Sequence, residues 1–267
     1  MWKIVLKTMF QLMNPASKFN RRFTASARLG VFFLLLALAS PALQAKELHY
    51  LAVGQPDFLA LLPPPPLAGS AEQATDMAAV VALHKACSSN DAAIAFSEKK
   101  FSIATFAPAV GTLLEEGHLP KTEALFKHVQ TDAALVTDAA KDYWKRPRPF
   151  TTDPSLGSGK LEKSFGYPSG HSTEATVLAL LLADLFPDKH DEVLAIGRDI
   201  GWHRIWIARH YPTDIYSGRV LAQAIVRELK SNPDFQKDLA EVKSEIAAAR
   251  QGAKPSVELA QPAAVAH

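Results

Sequence analysis

From Pro120 to Trp144 the apolar side chains return every third or fourth position, at Phe126, Val129, Ala133, Val136, Ala140 and Tyr143. That period suits a helix with one apolar face and excludes a strand, whose side chains alternate with period two. The same spacing runs from Ala71 to Ser88, and further helical stretches fall at about 171–186, 188–209, 212–229 and 232–250. Pro120 fits a first helical turn, while Pro187 and Pro233 punctuate the later stretches. Hardly any segment alternates with period two. The expectation is an all-α fold, a single helical bundle.

The first 45 residues have a different character. Lys18, Arg21, Arg22 and Arg28 precede an apolar run from Leu29 to Ala39, and small residues follow at Ser40, Ala42 and Ala45. This is the layout of an export signal cut after Ala42 or Ala45, with translation beginning at Met1, Met9 or Met13; a retained anchor is the alternative. The run is short of the roughly 20 apolar residues that a span requires. Residues 1–45 hold six Lys or Arg and no Asp or Glu, so the balance of +2 becomes 23 basic against 27 acidic residues, or −4, once they are removed. The basic character belongs to the leader, and no nucleic-acid partner is indicated.

About 220 remaining residues suit one core. Residues 46–70, with Pro63 to Pro66, are read as an extended arm, 71–250 as the helical domain, and 251–267 as a frayed, disordered tail. No mature helix has the apolar length of a membrane span, and the expected location is the periplasm. The single Cys87 has no internal partner and no activating motif, so it is read as a structural thiol.

Three short segments carry the chemistry. The first holds Lys141 and then Arg148-Pro149, the second is Pro168-Ser169-Gly170-His171, and the third holds Arg204, His210 and Asp214. Lys141, Arg148 and Arg204 supply permanent charge matched to phosphate oxygens, so no metal or other cofactor is required. Ser169 and Gly170 precede a helical stretch, which places their amides to face the same anion. His210 and Asp214 stand four apart around Pro212, so the carboxylate can reach back to the imidazole and fix which ring nitrogen is exposed. Clustered Asp and His ligands at metal-site spacing are not found.

In order and spacing these segments resemble the type 2 phosphatidic acid phosphatase superfamily, and most closely its class A bacterial non-specific acid phosphatases. Gln55 to Leu62, running into Pro63 to Pro66, is similar to the early segment of those enzymes. The resemblance implies a helical bundle of the phosphatidic acid phosphatase and haloperoxidase type, often in homo-oligomers. It implies an acid phosphatase acting on small-molecule phosphate monoesters, with His210 as nucleophile, Asp214 orienting it, and His171 as general acid and then base. Lys141, Arg148, Ser169, Gly170 and Arg204 would hold the phosphoryl oxygens. One departure is His203, where the family usually has Ser. A vanadate-dependent haloperoxidase and a non-catalytic phosphate-binding protein are the alternatives. His84, His118, His128 and His190 are read as structural, Lys145 and Arg146 as surface charge or pocket rim, and His203 equally as packing or pocket edge.

Overall fold

The computed structural model describes residues 47–252; the expected leader and almost all of the expected tail lie outside them. The described helices run in chain order as α1 (Phe58–Leu61), α2 (Ala71–Ala86), α3 (Ser89–Ser97), α4 (Ala107–Val110), α5 (Pro120–Trp144), α6 (Pro149–Thr152), α7 (Gly170–Leu185), α8 (His190–Trp206), α9 (Pro212–Ser231) and α10 (Pro233–Gly252). No strand occurs among the described residues, and no described helix is long and apolar enough to cross a membrane. The fold is all-α.

The bundle is built around α7, with α8, α9 and α5 packed on it. Ala175, Val177, Leu178, Ala179, Leu181 and Leu182 are all buried, so α7 is apolar on nearly every side, as a central helix must be. Close approach of its neighbours depends on glycine. A Cβ on Gly197 of α8 would stand 2.9 Å from the Ala175 carbonyl, and one on Gly218 of α9 would stand 2.8 Å from the Ser169 carbonyl. Backbone cannot yield at such distances, so a larger residue would push either helix off the amino-terminal half of α7.

The apolar stripe of α5 faces the core through Phe126, Val129, Ala133, Val136 and Ala140. Tyr143, expected on the same stripe, is instead 57% exposed, with its ring edge on Phe58 and Trp144. The last turn of α5 has left the core and reached the rim of the site. Asp132, also on α5, is fully buried and accepts the backbone N–H groups of His49, Tyr50 and Leu51 at 2.7, 2.8 and 3.1 Å. Hydrogen bonds to a charged group contribute about 1.5–3 kcal/mol each, so this one carboxylate fastens the amino-terminal arm. The arm is otherwise extended, apart from the single turn of α1, and it buries Tyr50, Leu51 and Leu62.

Periodicity assigned nothing between 89 and 119, where the structure has α3, α4 and two 3₁₀ turns. Helix α3 starts on a reciprocal cap between Ser88 and Asp91. The expected helix 188–209 is shorter in the structure. A 3₁₀ turn at Pro187–Lys189 precedes α8, and α8 stops at Trp206 because Ala208 takes a left-handed conformation with φ 52°. A non-glycine residue is uncommon there. This one is buried, and the reversal delivers Arg209 and His210 back toward the amino end of α7.

Candidate active site

The site forms where the carboxyl ends of α5 and α8 meet the amino ends of α7 and α9. Lys141 lies in the last turn of α5. Its Nζ is 3.3 Å from Asp138 and would stand 3.1 Å from a Cβ on Gly170, so a side chain at Gly170 would crowd the ammonium. Gly170 is the first residue of α7 and Ser169 its cap, with the Ser169 hydroxyl accepting from the Ser172 N–H. The Ser169 amide was expected to face the anion, but it donates to the Asp214 carbonyl at 3.0 Å, which ties α7 to α9. The Gly170 and His171 amides, in the first turn, have no intrahelical acceptor and carry the positive end of the helix.

Arg148 follows the left-handed Lys145 and caps α6. It is buried and well anchored: Nε donates to the Ser164 carbonyl at 2.7 Å, Nη2 to the Ser164 hydroxyl at 3.0 Å, and Nη1 to the Arg209 carbonyl at 2.9 Å. Nη1 also lies 3.0 Å from His210 Nε2. A guanidinium only donates, so His210 Nε2 must accept there with its lone pair. The other nitrogen, Nδ1, faces Asp214 Oδ2 at 3.3 Å and so carries the ring proton. His210 is therefore neutral, with an unprotonated Nε2 in the pocket. Burial and the charges of Arg148, Lys141 and Arg204 all depress its pKa, in agreement with that tautomer.

Asp214 is completely buried and accepts from Arg146 Nη1 at 2.6 Å and from the Tyr211 N–H at 2.9 Å. Burial pushes its carboxyl pKa up, and Arg146 with the Tyr211 amide pulls it back. Arg146 is thus neither surface charge nor rim. It is 4% exposed, spans Asp214 and Asp76 as a buried bridge, and lies 4.1 Å over the Tyr211 ring. Thr213 joins the same network through Asp76 and Arg146. Lys145 is exposed.

On the opposite wall, Arg204 from α8 is 2% exposed and donates through Nη1 to the Ala95 carbonyl of α3 at 2.6 Å. Its Nη2 is 3.5 Å from Glu162, which also pairs with Arg209 at 2.7 Å. Burial lowers the Arg204 pKa to about 10, leaving it charged at neutral pH. Three buried nitrogen atoms of this wall lack hydrogen-bond partners: Arg204 Nε, Arg209 Nε and His171 Nε2. An unpaired buried polar atom is costly, so its persistence calls for a ligand or a function. Burial, with Arg204 and His210 as the leading charges, holds His171 well below the ordinary histidine range. His203 does not join this wall: its Nδ1 pairs with Glu98 at 2.9 Å and its ring stacks on Trp206.

Lys141, Arg148, Ser169, Gly170, His171, Arg204, His210 and Asp214 thus lie in one cluster. Sequence reasoning missed Arg146, Glu162 and Arg209, and only the density of arginine around 146–148 hinted at the first. Among the described residues, no three His, Cys, Asp or Glu side chains group as a possible metal-ligand set. His84, His118 and His190 bond to Trp206 O, Thr112 O and Asp191 at 2.6, 2.7 and 2.7 Å, and His128 stacks on His49. Cys87 is unpaired, partly exposed, and its thiol pKa is raised by burial.

The PAP2 superfamily profile matches residues 130–235, which span Lys141 to Asp214. A non-specific acid phosphatase of Providencia stuartii is 34% identical over 212 residues, covering 75% of this chain and 86% of that protein. An acid phosphatase of Zymomonas mobilis is 32% identical over 74% of this chain and 78% of its own length. A non-specific acid phosphatase of Salmonella typhimurium is 32% identical over 53% and 59%. Identity sustained at this level across most of both chains is family membership: the chain belongs to the PAP2 superfamily, alongside the bacterial non-specific acid phosphatases.

Proposed function

We propose that the protein is an acid phosphatase of broad specificity that hydrolyses phosphate monoesters through a phosphohistidine on His210, without a metal. The observation that carries this reading is the state of His210, whose Nε2 holds a lone pair beside Arg148 while Nδ1 is turned to Asp214. A binding protein would need the cations but not an oriented, neutral imidazole among them.

In the proposed reaction the phosphoryl group sits between Lys141, Arg148 and Arg204, with the Ser169 hydroxyl and the Gly170 amide completing the cradle. These fixed donors meet the charge that develops on the equatorial oxygens, the task a metal performs in other phosphatases. His210 Nε2 attacks phosphorus as the bond to the leaving oxygen breaks. His171, protonated, gives its proton to that oxygen. Asp214, itself held by Arg146, stabilises the positive charge on the phosphorylated ring. A water then attacks phosphorus, His171 takes the proton from it, and the P–N bond breaks to release phosphate. Splitting one displacement into two lowers each barrier.

The depressed pKa values set the working range. His210 must be neutral to attack, and its lowered pKa keeps it neutral as pH falls. His171 must be protonated to donate, and its lowered pKa confines that form to acid solution until a bound phosphate dianion offsets the surrounding cations. Both shifts move the productive combination below the ordinary histidine range, so the profile is bell-shaped with an acid optimum. We further propose that residues 1–45 direct export, which puts the enzyme in the periplasm.

The test is hydrolysis of p-nitrophenyl phosphate from acid to neutral pH in the presence of EDTA, beside His210→Ala. Turnover that peaks in acid, survives EDTA and is abolished in the variant is the expected result. Activity lost in EDTA and restored by a divalent ion would overturn the metal-free chemistry.

A further inference from the structure

A hollow of about 230 Å³ adjoins the proposed phosphoryl site at Arg204. It is lined by Phe96, Lys99, Ser158, Gly159, Lys160, Glu162, Arg204 and Arg209. Arg204 also belongs to the proposed phosphoryl site, so the hollow adjoins that site at this arginine. Its shape is built. Gly159 has φ +62°, a conformation that favours glycine, and a Cβ there would stand 3.3 Å from the Phe96 ring. Arg209, 1% exposed, anchors the same loop by donating to the Ser158 and Lys160 carbonyls.

The charges of the hollow are one-sided. Four cations line it against one carboxylate, Glu162. That carboxylate is already drawn to Arg209 at 2.7 Å and Arg204 at 3.5 Å, although neither contact has the geometry of a full hydrogen bond. Glu162 therefore compensates the buried arginines and leaves Lys99 and Lys160, both exposed, with no carboxylate of the lining opposite them. Phe96 offers an apolar wall for a carbon skeleton, being 40% exposed.

We propose that this hollow is a leaving-group subsite that selects phosphate monoesters whose alcohol carries a second anionic group. The phosphoryl group lies on Arg204 and its neighbours, the carbon chain runs along Phe96, and the second anion meets Lys99 and Lys160. This deepens the phosphatase reading above and rests on it. Exposed pairs are individually weak and screened by salt, so the selection is modest and fades as ionic strength rises.

The experiment compares 3-phosphoglycerate with glycerol 3-phosphate, whose leaving alcohols differ by a carboxylate against a hydroxymethyl group. Wild-type kcat/KM is expected to favour 3-phosphoglycerate by roughly fivefold at low salt. In Lys99→Ala/Lys160→Ala the ratio should fall to about one, while p-nitrophenyl phosphate reports whether the phosphoryl chemistry is intact. Both lysines are exposed, so the fold tolerates their loss. A wild-type ratio at or below one, or a ratio the double variant does not change, would overturn the subsite and leave the phosphatase reading standing. No turnover of any of the three esters by the wild type would instead overturn the phosphatase reading, and the subsite with it.

Discussion

The two histidines of the pocket sit at the starts of two helices, and their surroundings are opposite. His210, before α9, is held on both ring nitrogens, by Asp214 on one side and Arg148 on the other, and Asp214 is in turn gripped by Arg146 and the Tyr211 amide. His171, in the first turn of α7, ends in a buried Nε2 with no partner. A nucleophile must be aimed before substrate arrives, which contacts on both ring nitrogens accomplish. A proton donor must meet an oxygen that belongs to the substrate, so its working atom has to be left unsatisfied. The difference in hydrogen bonding supports the roles proposed for the two histidines, and it can be attacked from either side.

The largest effect should come from breaking the aim of His210. Asp214→Asn keeps the volume but removes the acceptor charge, and a roughly 10³- to 10⁴-fold fall in kcat is expected, comparable to what the wrong histidine tautomer costs in serine proteases. Steady-state kinetics on a purified, folded variant would show it; a fall of less than tenfold would mean the network does not orient the ring. In kcat/KM, which reports only the step that phosphorylates His210, His171→Ala should cost about 10²- to 10⁴-fold on an alkyl phosphate. On p-nitrophenyl phosphate, whose leaving phenolate needs no proton, the loss should be much smaller. Equal losses on both esters would remove the general-acid role and with it the contrast between the two histidines. Arg146→Ala tests the outer layer of the network. It leaves Asp76 and Asp214 buried without their cation, and loss of one partner of a buried pair costs about 3–5 kcal/mol of stability. Denaturant unfolding would measure this; a midpoint unchanged from wild type would contradict the bridge.

The same contrast explains what the sequence made legible. Helices α5, α7, α9 and α10 were readable because each carries a long periodic or proline-marked stretch, and the cationic and histidine residues were readable because their chemistry is specific and their spacing ordered. Arg146 was not. Its partners Asp76 and Asp214 lie 70 and 68 positions away, and nothing local distinguishes it from the exposed Lys145 beside it. Helix α3 was missed because nine residues hold too little periodicity, although the Ser88–Asp91 cap was there to be read. Its position matters, since the Ala95 carbonyl fixes Arg204 and Glu98 takes His203 away from the pocket. The early end of α8 was equally hidden, because the left-handed turn at Ala208 is imposed by tertiary packing around a residue that would favour helix.

The central claim is that His210 becomes phosphorylated. The most direct measurement is rapid mixing of the His171→Ala variant with p-nitrophenyl phosphate, quenching in alkali, which preserves phosphohistidine, and mapping the modified peptide by mass spectrometry. Without a base to activate water, the intermediate should accumulate, and the added phosphoryl group is predicted on His210. A burst of p-nitrophenolate with no phosphopeptide at His210, or with the label on another residue, would contradict the account.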